Sequence, residues 1–152
     1  MAHFAKLGIN NEVIDILTMD TIDTMTKGGI EKEEIGVEHL KKHTGHETWK
    51  KCSYNTNAGV HRLGGTPFRA TYPSIGYFYD SDNDIFKEPV PKDKDGDTCT
   101  SWVLNKTTGR YDPPITKPTV TQEQNDARKN YAWDESLYQS DNTKGWLEVD
   151  LL

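Results

Sequence analysis

Three groupings of residues in this chain have the types and spacing to do chemistry. His39, His43 and His46 stand at an H-x3-H-x2-H spacing, with Glu47 beside the third. On a helix the first two share a face, so a zinc-type ligand set can be drawn. No second histidine or cysteine cluster completes it, apart from distant His3 and His61. Solvated histidines at a helix end are the simpler reading. Asp80, Asp82 and Asp84 form a D-x-D-x-D run that suits a hard cation such as calcium. An EF-hand loop would then require glycine where Ile85 stands and glutamate where Pro91 stands, so that motif fails twice. Asp93, Asp95 and Asp97 make a second acidic set, with Thr98 where the glycine should be. Both sets read as solvated turns, with loose calcium binding as the alternative. Ser53 and Ser101 lie in no G-x-S-x-G elbow, and neither Cys52 nor Cys99 has a histidine beside it. The glycines of GVHRLGG at residues 59–65 lack the GK[ST] ending of a phosphate loop. The residues therefore predict no enzyme, no cofactor and no dedicated metal site.

The elements that would position these groups read as a series of β-hairpins around one helix. Phe4–Leu7 and Glu12–Leu17 flank a Gly-Ile-Asn-Asn turn and predict the first hairpin. Ile30–His43 carries an imperfect apolar stripe (Ile30, Ile35, Val37, Leu40), acids first and bases last, which predicts the one principal helix. Gly36 weakens it, and Thr44-Gly45 stops it. Trp49–Tyr54 returns to strand character. Ser53–Phe86 holds seven of the fifteen aromatic residues together with four glycines, and reads as a β-rich packing centre. Three later segments rhyme: Tyr77–Asp80, Trp102–Asn105 and Tyr131–Asp134. Each ends its aromatic run on Asp or Asn and then returns through another aromatic residue across a turn. Cross-strand aromatic pairs and Asx turns account for that pattern. The fold class expected is mainly β with one short helix, a β-rich α+β arrangement of successive hairpins in a small sheet or sandwich.

Composition limits the core and the partners. Leu, Ile, Val and Phe make only about a fifth of the 152 residues, a level that borders on disorder. A net charge of just -6 and 10% aromatic residues argue instead for a thin, aromatic core. Residues 1–79 hold nine acids and nine bases, whereas 80–97 and 121–152 each hold seven acids and three bases. No Lys/Arg cluster gives the footprint of nucleic-acid binding, so no direct nucleic-acid partner is expected. No apolar run reaches the length of a signal-peptide core or a membrane span. That predicts a soluble protein made in a cytoplasm, with no membrane partner and two buried thiols.

Three regions follow from this pattern: a β-rich body over 1–112, a proline-rich connector over 113–120, and an aromatic C-terminal hairpin over 121–152. Pro113, Pro114 and Pro118 keep the connector extended. Trp133, Tyr138 and Trp146 give the tail more aromatic surface than a short hairpin buries alone, and Trp and Tyr are frequent interface anchors. These six residues are the partner-binding candidates.

Several segments, taken in order, carry a resemblance. They are Met1–Ala5, Gly45–Trp49, Cys52–Thr56, Pro67–Arg69, Ile75–Tyr77 with Tyr79-Asp80, Pro89 and Pro91, Trp102 with Leu104-Asn105, Pro113-Pro114, and Tyr131 with Trp133–Glu135. Together they resemble small virion-associated accessory proteins of marine bacteriophages, cyanophages in particular. Residues 92–98 and 137–145 stand as insertions against that pattern. The resemblance implies a non-enzymatic structural protein of the virion, made in the host cytoplasm, that contacts the major capsid protein or tail proteins. A capsid decoration subunit is the leading expectation, with a homo-oligomer on the particle compatible with it. A tail accessory or fibre component, or a tail-assembly chaperone, is the alternative.

Overall fold

In the computed structural model, which describes residues 1–152, the first apolar run of the chain becomes the central strand of its largest sheet. Strand β1 (Ala2–Leu7) pairs antiparallel with β2 (Val13–Met19) on one side and with β3 (Trp49–Cys52) on the other. Lys6 faces Asp15 while Leu7 faces Val13, so Ile14 is an extra residue that bulges β2. Both faces of β1 are covered, which is why its sequence reads as an almost unbroken apolar run rather than an alternation. Ala5 and Leu7 join Val13, Cys52, Tyr79 and Phe86 in one buried cluster. Ala2 and Phe4 join Met19, Leu40 and Trp49 in another.

Helix α1 (Glu33–Thr44) supplies Leu40 to that second cluster. It starts three residues later than the sequence pattern suggests. Thr26 N–H binds the Ile30 carbonyl and Lys32 N–H binds the Thr24 carbonyl, so the backbone there is committed to a turn. Gly45 ends the helix in the left-handed region at φ 74°, its N–H on the Lys41 carbonyl. Gly36, a poor helix former, is there for space: a Cβ on it would lie 2.5 Å from Cζ of Phe4, which is fully buried and cannot swing away. Gly36→Ala is therefore expected to cost about 1–3 kcal/mol through overpacking, although alanine is the better helix former by ~1 kcal/mol. A thermal melt unchanged or raised by this substitution would contradict that packing argument.

The chain divides into two compact units, Met1–Pro89 with Asn105–Arg110, and Val90–Leu104 with Tyr111–Leu152. Residues 113–120 and 121–152 thus both belong to the second unit, together with Val90–Leu104. The three rhyming segments form hairpins as the sequence predicts: β6 (Phe78–Asp80) with β7 (Ile85–Lys87), β8 (Val103–Asn105) with β9 (Arg110–Asp112), and β10 (Lys129–Trp133) with β11 (Trp146–Asp150). Asp80 accepts from the amides of Asp82 and Asn83, Asn105 from those of Thr107 and Thr108, and Asp134 from that of Leu137. The whole is mainly β with one main helix, a β-rich α+β fold of small antiparallel sheets.

The stretch 53–86 differs from its expected role as packing centre. Besides β6 and the start of β7 it holds only two-residue strands, β4 (Thr56–Asn57) and β5 (Val60–His61). Its backbone turns at Ala58, Arg69, Ala70 and Asp84, all with φ between 46° and 66°. Non-glycine residues in that region are uncommon and break strand runs without a glycine to announce them. Tyr79 and Phe86 reach the core, but Tyr54 is exposed and Phe68, Tyr72, Tyr77 and Phe78 are half-buried. The organising element of the first unit is β1.

Candidate functional site

In the second unit, β10 and β11 pair so that Trp133 faces Trp146. Their rings meet edge to face at 5.2 Å, and Trp102 touches both, at 5.9 and 6.0 Å. After the short helix α2 (Gln122–Asp126) comes α3 (Glu135–Ser140), which the Asp134 side chain caps and from which Tyr138 packs on Trp133 at 5.4 Å. Such ring pairs contribute about 0.5–1.5 kcal/mol each beyond the area they bury. Gly145 lies flat against the Trp133 ring, where a side chain would clash.

A polar knot holds this aromatic cluster in place. Glu135, only 5% exposed, accepts from Trp133 Nε1 (2.8 Å), Gln139 Nε2 (3.0 Å), Thr100 Oγ1 (3.1 Å), and both the amide (2.9 Å) and hydroxyl (2.8 Å) of Ser101. Burial pushes its pKa up, but the indole, amide and hydroxyl donors outweigh that and hold it at about 2. Trp102 Nε1 is buried with no hydrogen-bond partner.

The connector is tied to this cluster. Trp146 Nε1 donates to the Ile115 carbonyl at 2.7 Å, and the Lys117 ammonium sits 5.8 Å from the Trp146 ring centroid. Between connector and hairpin lies an open groove of about 300 Å³, lined by Ile115, Pro118, Leu137, Trp146, Leu147 and the Thr143–Gly145 turn. Of the six candidates, Pro118 and Trp146 line this groove. Tyr138 is half-buried on Trp133, and Trp133 is internal at 4% exposure, so it supports the groove from beneath. Pro113 is half-buried and Pro114 exposed, both outside the groove lining.

The groups considered for chemistry are distributed differently. His39 and His43 stack at 4.1 Å, but His43 Nδ1 donates to the His39 carbonyl and His46 Nε2 to the Leu7 carbonyl, so the three do not converge. Asp80 and Asp84 serve separate partners: Asp80 holds its own turn, while Asp84 pairs with Arg69 and Tyr79. Asp93 and Asp95 meet Asp134 rather than Asp97, with carboxylate oxygens within 4.8 Å of one another. Lys94 bridges Asp95 (2.7 Å) and Asp134 (3.3 Å), supplying positive charge from within the chain. Burial pushes Asp93 up, but the amides of Glu135, Asp97 and Asp95 outweigh it and hold the carboxyl below its ordinary value. Ser101 is bonded to Glu135. Burial pushes the thiols of Cys52 and Cys99 to about 12 and about 11, so both stay protonated at neutral pH.

Glu135 as the centre of the second unit has only a faint sequence signal, its place directly after Trp133-Asp134. The groove lining of Ile115, Leu137 and Leu147 has none, because these residues come together only when the hairpin closes. No family model matches the chain, and no curated protein or solved structure matches it either.

Proposed function

We propose that this chain is a non-enzymatic structural protein of a bacteriophage particle, a decoration subunit on the capsid exterior that docks through the Pro118–Trp146 groove. The observation that carries the reading is the groove itself, an apolar recess whose walls are held by an indole-to-carbonyl bond and an edge-to-face tryptophan cluster. Pre-ordered walls lose little entropy on binding, and tryptophan is a frequent anchor. Residues 121–152 hold seven acids and three bases, so the occupant that fits is an apolar segment of the major capsid protein flanked by basic residues.

Quantitative mass spectrometry of purified virions tests this. A copy number on a par with the capsid subunit is the expected result; absence from particles overturns it, and enrichment in isolated tails moves the protein to the tail. A groove variant gives the second readout. Leu147 is 37% exposed on the groove wall, so Leu147→Glu is expected to leave folding intact while removing the protein from particles. Normal incorporation of that variant would place the contact elsewhere.

A further inference from the structure

The first unit carries a recess of its own, beside the β4–β5 turn. It is open to solvent, has a volume of about 330 Å³ and is lined by Tyr54, Asn55, Thr56, Asn57, Arg62 and Tyr72. Its frame is rigid. Thr56 is fully buried; its hydroxyl accepts from the Phe68 amide and its carbonyl from the Tyr72 amide. The β4–β5 turn is pinned by Ala58 N–H on Thr71 Oγ1 and by Gly59 N–H on the Ala70 carbonyl. The Arg62 amide binds the Asn55 carbonyl, which fixes where the side chain departs.

The side chains on this frame are organised but unspent. Arg62 lies over the Tyr54 ring with its guanidinium carbon 4.8 Å from the centroid. His3 stacks on Tyr54 at 5.7 Å, and Tyr72 meets both rings edge-on, at 5.7 and 5.6 Å. Arg62 has no carboxylate partner within a chain that holds six more acids than bases. The carboxamides of Asn55 and Asn57 and the Tyr72 phenol likewise make no bond inside the protein. Burial pushes the Tyr72 pKa up, so the phenol keeps its proton to donate.

A guanidinium held over a ring by its charge, with no carboxylate partner, keeps its fork of N–H donors available, and that fork matches a carboxylate bidentately. One cation suits a monoanion better than a phosphate dianion. Carboxamides and a phenol both donate and accept, which matches a ligand dense in hydroxyl groups. The volume lies at the lower end of small-ligand sites. We propose that the Tyr54–Arg62 recess binds a carboxylated sugar unit of an acidic polysaccharide, its carboxylate on Arg62 and its hydroxyls on Asn55, Asn57 and Tyr72. The proposal is independent of the particle reading, which rests on other residues and another readout.

Calorimetric titration of the full chain with tetragalacturonate, maltotetraose and inorganic phosphate tests it. Saturable binding of tetragalacturonate alone is expected. Arg62→Gln should weaken it by about tenfold or more through loss of the charged fork, with a melting temperature little changed because Arg62 is exposed and makes no ion pair. Arg62→Lys should also weaken it, since a lysine keeps the charge without the fork. No saturable uronide binding at millimolar concentration overturns the proposal, as does equal binding by Arg62→Gln. Equal affinity for phosphate would make this a simple anion site, and equal affinity for maltotetraose a neutral-sugar site; either result also overturns it.

Discussion

Arg69→Met is expected to destabilise the first unit by about 3–5 kcal/mol, the cost of stranding one partner of a largely buried ion pair. The Arg69 side chain is 9% exposed and grips Glu33 with two bonds, Nη1–Oε1 at 2.7 Å and Nη2–Oε2 at 2.9 Å. Its Nε donates to Asp84 at 2.9 Å, and Asp84 also accepts from the Tyr79 hydroxyl. The same pair closes the outer edge of β3: Glu33 accepts from the Lys51 amide and Arg69 donates to the Lys51 carbonyl. An unpaired strand edge invites pairing with another chain, so the variant should aggregate as well as melt early. Burial pushes the Glu33 pKa up, but Arg69 and the Lys51 amide outweigh it and leave it lowered. The stability that Glu33 contributes is therefore full above the ordinary glutamate value and is lost as pH falls through the lowered one. Urea denaturation checks both points. A loss below about 1 kcal/mol would reduce the pair to the worth of a surface salt bridge. Adding Glu33→Leu to Arg69→Met should recover part of the loss, because no charge is then left stranded.

Glu135→Ala should disrupt the second unit by about 3 kcal/mol or more, since buried donors left without an acceptor cost about 1–3 kcal/mol each. Trp133 Nε1, whose bond to Glu135 is buried while the others are part-buried, is the donor least able to find water. Glu135→Gln separates charge from shape: it keeps one acceptor oxygen but turns the other position into a donor facing donors. With the folded pKa at about 2 and the unfolded value that of an ordinary glutamate, the contribution of Glu135 is complete above the unfolded value. It declines as the pH falls between the two and is gone below about 2. Acid titration of calorimetric melts should show this slope in the parent chain and a flatter one in Glu135→Gln. Equal slopes in the two proteins would falsify the account of the knot.

The hairpins and the helix were legible because their signals are local. Asp80, Asn105 and Asp134 each sit where a turn begins and bind amides two or three residues on, a relation that sequence spacing exposes directly. The acids and bases of α1 occupy the ends that its dipole favours. Helix α3 was not legible: its second half falls in residues 137–145, which look like a loop extension, and the Asp134 cap that starts it is not marked by an apolar stripe. The polar knots were hidden for a different reason. Glu33 and Arg69 are 36 positions apart, and Ser101 and Glu135 are 34 apart, so no periodicity links them. The Tyr54–Arg62 recess escaped notice because an arginine lacking a partner looks, in sequence, like any other. The groove was half legible: Pro118 and Trp146 stood out by type, while Ile115, Leu137 and Leu147 did not.

The mutual contact of Trp102, Trp133 and Trp146 has an optical consequence. Indoles 5.2 to 6.0 Å apart and steeply inclined couple their electronic transitions, and coupled chromophores produce a paired circular-dichroism band that isolated ones lack. The fourth tryptophan, Trp49, lies in the first unit with its indole N–H on the His46 carbonyl. Each unit thus carries its own intrinsic spectroscopic signature, a coupled band for one and a single emitter for the other. The order in which the two units lose structure can be read from the unlabelled protein.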